Sequence, residues 1–180
     1  MDLLDFDGEE MYFDQPLGEE AQGLIAMAAE HFGQPAAEHR LMRAYFLEPE
    51  HLTVLVALYR YFYYRRQYAD ALIVADRAIV VASCQLNLSD DWRALSRQTL
   101  GPAVLASMSM TRFLLLALKG AGYLLMRLGD PAGALERFEK VIEIDTSDRL
   151  GMKELVTMAR ARLTEEQVHQ AGDKVSYLTS

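Results

Sequence analysis

Apolar residues recur along this chain at spacings of three and four and do not alternate, a pattern that predicts helices. Ala21, Leu24, Ile25 and Ala28 form one stripe, and Leu55, Leu58, Tyr59 and Phe62 form a second. Leu150, Leu155, Val156, Met158, Ala159 and Leu163 mark another within Arg149 to Leu163. The valine- and isoleucine-rich run from Ile73 to Ala82 has strand composition, but Ala71, Ala75 and Ala78 put small residues on one helical face. No alternating apolar run is flanked by hairpin turn residues, so no sheet is expected. The predicted fold class is all-α.

Breaks in the pattern set the expected boundaries. Gly129-Asp130-Pro131 reads as a tight turn that opens a helix running to Asp145. Ser89-Asp90-Asp91-Trp92 has the form of a helix N-cap followed by acids in the first turn, and predicts a short helix ending near Gly101. Pro102 is suited to begin the next helix. From Ala103 to Leu128 only Gly120 and Gly122 interrupt the helical pattern, which predicts a single long helix.

The stretch Gly129 to Asp145 resembles the tetratricopeptide repeat (TPR). Leu118, Ala121, Gly122, Leu125, Ala134 and Phe138 match the repeat's order of small and large apolar positions, with Thr146 where proline is usual. Ala71 takes the role of Ala134 in an earlier copy, with Ala75 in place of the phenylalanine and Ser83 in place of the proline. Ala37, one period of about 34 residues before Ala71, takes it again, followed by Leu41 and Pro49. The resemblance implies a right-handed stack of antiparallel helical hairpins, with repeats at about 18–51, 52–85 and 115–148 and an insertion at about 86–114. A capping helix at 149–163 completes the expected domain at 18–163, between an acidic arm at 1–17 and a tail at 164–180.

Charge adds to this picture. Asp2, Asp5, Asp7, Glu9, Glu10, Asp14, Glu19 and Glu20 precede the first lysine or arginine, Arg40, and equal the net charge of −8, so the rest of the chain balances. Leu3, Leu4, Phe6, Met11, Tyr12 and Phe13 are interleaved with these acids. That composition suits docking on a basic, apolar surface, and equally a solvated, partly disordered terminus.

In proteins of the resembled family the first helix of each repeat lines a concave groove for a peptide. Carried onto this chain, that face holds Thr53, Val56, Arg60, Tyr63 and Tyr64 in the second repeat and Lys119, Tyr123, Met126 and Arg127 in the third. The first repeat offers Glu19, Gln22 and Ala26. Arg60, Tyr63, Tyr64, Lys119, Tyr123, Met126 and Arg127 are therefore the candidate partner-binding residues. Guanidinium groups give forked donors to carboxylates, tyrosines give rigid area with a hydroxyl, and methionine adapts to irregular partners. Packing between neighbouring helices competes as a role for the aromatic run Tyr59 to Tyr64. The lysine and asparagine pattern of family members that clamp a C-terminal carboxylate is missing, and that activity is not expected.

Little in the sequence points to chemistry. His31, Glu38 and His39 straddle a turn without the spacing of a zinc or copper motif, and no phosphate loop or nucleophile elbow occurs. No catalytic residue, metal or cofactor is expected, and the chain reads as a non-enzyme. A pI near 5.0 without a basic stripe disfavours nucleic acid. Arg112, Lys119 and Arg127 argue against a membrane span over 103–128, because a central charge costs about 2.5–3.5 kcal/mol. Cys84 is read as a small core filler. Met1 is followed by acids where a secretory signal would be basic, so the expected location is cytoplasmic.

The sequence thus predicts an adaptor or chaperone-like scaffold that holds an acidic or amphipathic protein segment, with the acidic arm as a competitor or a homodimer contact. The alternative is an assembly factor that self-associates through 86–114, using Trp92, Leu95, Leu100, Met108, Met110 and Phe113.

Overall fold

A computed structural model describes residues 15–178, with side chains through residue 169; the expectations for the arm at 1–14 lie outside the described residues. Among the described residues the chain is all-helical, with no strand. The helices are α1 (Glu19–Glu30), α2 (Pro35–Leu47), α3 (Leu52–Tyr64), α4 (Tyr68–Gln85), α5 (Arg97–Ala106), α6 (Met108–Leu128), α7 (Pro131–Ile144) and α8 (Met152–Leu178). No helix among the described residues is long and apolar enough to cross a membrane.

Local chemistry explains the short turns. Pro35 and Pro131 stand at the starts of α2 and α7, where a missing N–H costs nothing. Gly129 ends α6 in the left-handed region at φ 81°, and Asp130 then caps α7 by accepting from the Gly133 amide at 2.8 Å. Across such turns α1 packs on α2, α3 on α4, α6 on α7, and α7 on α8. The α6 helix also lies along α4, and α5 packs on α6.

One core runs through most of these helices. Leu55, Leu58, Ile79, Leu114, Leu118, Leu124, Phe138 and Val141 are all essentially inaccessible. Small residues decide how closely the helices meet. A methyl built on Gly122 would lie 2.5 Å from Phe138 Cε1, and one on Gly120 would lie 3.3 Å from the Tyr59 hydroxyl. The glycines in α6 are thus seats for two aromatic rings and leave the helix continuous through both.

The segment before α6 departs from the sequence expectation. The helix expected from Ser89 to Gly101 is replaced by a 3-10 turn at Trp92–Ala94, capped by Asp91 through the Arg93 amide at 3.0 Å. A new helix starts at Ser96, which forms a capping box with Thr99. Pro102 lies inside α5 and does not open a helix. The expected continuous helix over 103–128 is broken at Ser107, whose backbone is extended (φ −156°, ψ 106°). Its amide closes α5 on the Ala103 carbonyl, and its hydroxyl opens α6 by accepting from the Met110 amide at 3.2 Å. One serine serves both helices, and a continuous ladder would forfeit that cap.

The C-terminal helix also differs from expectation. It starts at Met152, capped by Asp148 at 2.6 Å, and continues past Leu163 to Leu178, where a tail was expected. Cys84 is exposed near the end of α4; neighbouring Ser83 is the residue that is fully buried.

Candidate functional site

α1 and α3 lie side by side with a trough between them. At its N-terminal end Val54 is buried with Ala21, Leu24 and Ala44. At its other end the Phe32 ring stands edge-on to Tyr61 at 5.7 Å and to Tyr64 at 6.3 Å. Between these ends the walls carry small residues, Ala28 and Ala29 on α1 and Ala57 on α3, and the space left open is a groove of about 750 Å³. Ile25, Leu41, Thr53, Val56 and Arg60 complete the lining. Phe32 and Tyr64 are half exposed, at 51% and 52%, and form an apolar rim.

Arg60, half buried, is the charged group in that lining. The Tyr61 hydroxyl points to Glu38 Oε2 at 3.4 Å; burial first, and then the negative Glu38, hold its pKa above the ordinary phenol value. Arg65 reaches over the rim to donate to the Gly33 carbonyl at 3.5 Å. The arrangement is an apolar trough with a guanidinium set in one wall. It is suited to holding an apolar segment and pairing one carboxylate on it.

The seven candidate residues do not form one surface. Arg60 and Tyr64 line the groove. Tyr63 turns to the other side of α3, stacked on Tyr59 at 5.9 Å with 15° between the planes, and meets Tyr68 edge-on at 6.2 Å. Arg127 lies over the Tyr68 ring at 4.9 Å and donates to its hydroxyl at 2.9 Å. It also bonds the Tyr123 side chain, and Tyr68 and then Tyr123 raise its pKa. Lys119 donates to the Leu150 carbonyl at 2.7 Å, and burial lowers its pKa against the opposing pull of Asp148. Met126 is partly buried against the core. Tyr63 bridges the two clusters through its edge-on contact with Tyr64 at 5.6 Å. A ribbon of rings therefore joins Phe32 on the α1–α2 turn to Arg127 on α6, with Lys119 bonded instead to the turn before α8.

On α1 the groove is lined by residues other than those expected. Glu19, Gln22 and Ala26 are exposed and do not line it; Ile25, Ala28, Ala29 and Phe32 do. The sequence carries no signal that separates these positions, since Ala26 and Ala29 are equally small. Of the side chains considered for metal, His31 Nδ1 donates to the Met27 carbonyl at 2.9 Å and Glu38 accepts from Tyr61. Among the described residues no group of three or more His, Cys, Asp or Glu is placed to hold a metal ion.

A protein of Azotobacter chroococcum mcd 1, named as the uncharacterized 19.8 kDa protein in the nifW 5' region, is 41% identical to this chain over 156 residues, covering 87% of each. No family model and no solved structure matches the chain.

Proposed function

We propose that this chain, which belongs to the family of the Azotobacter 19.8 kDa protein, is a non-enzymatic TPR-like scaffold that binds an acidic or amphipathic protein segment. The observation that carries this reading is the α1–α3 groove: a long apolar trough, rimmed by Phe32 and Tyr64, with Arg60 in its wall. The pairing of α1 with α2, α3 with α4 and α6 with α7 supports a right-handed stack of hairpins, with the start of α8 as its cap. The acidic arm regulates access, and the protein works in the cytoplasm. The relative is described by its place in the nifW 5' region. A protein encoded in that region is the first partner to test.

Charge reversal tests the groove directly. In titrations with a labelled helical peptide carrying an apolar stripe and acidic flanks, Arg60→Glu is expected to weaken binding about tenfold at low salt and less at high salt. Arg127→Glu is expected to have the smaller effect, because Arg127 stands outside the groove lining, bonded to Tyr68. Equal effects of the two reversals would move the site off the groove.

A second reading rests on the α5–α6 junction. Leu95, Leu100 and Phe113, expected to supply a self-association surface, are buried at 1–3% exposure, and Trp92 and Met110 are partly covered. Val104, Leu105 and Met108 are exposed around Ser107, with Leu105 at 90%. Self-association in this family would use that knuckle.

A further inference from the structure

The N-terminal end of the groove lies beside the point where the described chain begins. His51, buried at the head of α3, accepts from the Thr53 amide through Nδ1 at 3.2 Å and donates through Nε2 to the Gln15 carbonyl at 3.1 Å. One imidazole thus joins Gln15 to the first α3 residue that lines the groove. The exit of the chain at this point is held in place. Leu17 packs on the cluster of Ala21, Leu24, Ala44 and Val54, and the Gly18 amide donates to Glu48 Oε1 at 2.8 Å.

Length and chemistry match across this junction. From Thr53 to Tyr64 the groove follows α3 for about 16 Å, at roughly 1.5 Å per residue, a distance well within the reach of the eleven residues 3–13. That stretch carries Leu3, Leu4, Phe6, Met11, Tyr12 and Phe13, apolar groups of the kind the trough would cover. Between them stand Asp5, Asp7, Glu9 and Glu10, opposite in sign to Arg60 in the wall and Arg65 at the rim.

We propose that residues 3–13 occupy the α1–α3 groove of their own chain, as a built-in competitor that a partner segment must displace. The proposal rests on the reading of the groove as a peptide site. Tethering at Gln15 makes the contact intramolecular, with an effective concentration on the order of millimolar, so a weak contact suffices to keep the groove filled.

The test uses the full chain and a labelled synthetic peptide that reproduces residues 2–14. Leu4→Lys with Phe6→Lys alters only the arm, and the peptide is expected to bind this variant roughly tenfold tighter than the unaltered chain, as release of a tethered competitor requires. Adding Ala29→Glu, a charge on the groove wall, is expected to abolish that binding. Equal affinity for the two chains would overturn the competitor and leave the groove standing as a peptide site. Failure of the peptide to bind the arm variant, or indifference of its binding to Ala29→Glu, would overturn the groove reading as well. If the unaltered chain sediments as a dimer and the arm variant as a monomer, the arm acts on a second copy and the cis proposal is wrong.

Discussion

At the scale of single residues, Gly122 shows how one position sets the distance between two helices. The Phe138 ring, fully buried, occupies the space that a side chain at 122 would take. Gly122→Ala is expected to destabilise by about 1–3 kcal/mol in urea unfolding, because overpacking outweighs the roughly 1 kcal/mol gain in helix propensity. The penalty should shrink in a Phe138→Leu background, and an equal penalty there would separate the two sites. Gly122 and Phe138 were legible in the sequence as a small and a large apolar position, and their meeting is a contact between helices that the sequence did not disclose. It did not disclose Cys84 as exposed, since a helix end turns one neighbour outward and the other inward by rotation alone.

At the scale of elements, the corners between helices carry much of the organisation. Asp145 ends α7 and holds the turn toward α8, accepting from the Leu150 amide at 2.8 Å and from the Ser147 hydroxyl at 3.1 Å. Burial pushes its carboxyl up, but the Leu150 and Arg149 amides, the Ser147 hydroxyl and the Arg149 charge together hold it below the ordinary 3.8. A carboxyl lowered in the folded state binds fewer protons there than in the unfolded chain. Its stabilisation is therefore complete above about 3.8 and drains away as pH falls through the lower folded value. Asp145→Asn is expected to cost about 1 kcal/mol near neutrality. The gap between the two proteins should close at acid pH, and a gap constant from neutral to acid would rule out the ionised carboxylate as its source. The break at Ser107 was hidden for a related reason. A serine between apolar stretches fits the polar face of a continuous helix as well as a cap, and only its backbone geometry separates the two.

At the scale of the whole molecule, the segment between α4 and α5 is stitched to α7. Trp92 lies beneath two guanidinium groups, Arg93 at 4.4 Å and Arg137 at 5.2 Å. Arg137 is 9% exposed and pairs with Asp76 on α4 at 2.7 Å. Lys140 donates to the Leu95 carbonyl at 3.1 Å and Glu136 accepts from Arg93 at 3.0 Å, so α7 grips the segment before α5 at three points. Trp92→Ala is expected to lower stability by about 1–2 kcal/mol while leaving the mass in light scattering unchanged. Leu105→Asp is the change that would lower the mass if the α5–α6 knuckle joins two copies. A loss of mass in Trp92→Ala would return self-association to the segment around that ring.

Apolar residues recurring at helical spacing, with proline and glycine at the turns, were enough by themselves to determine an all-helical chain. The same pattern marked Arg60 and Tyr64 as neighbours on one face of α3, because residues four apart share a helix face wherever that helix is placed. Tertiary structure alone decided which face of α1 meets that face, since Ala26 and Ala29 are equally small and only packing on α2 turns one of them toward the groove. It also parted Lys119 from Arg127, which periodicity sets on one stripe. The turn before α8 offers Lys119 a carbonyl acceptor at Leu150, and α4 brings the Tyr68 ring under Arg127; contacts between such distant segments leave no periodic trace in the sequence.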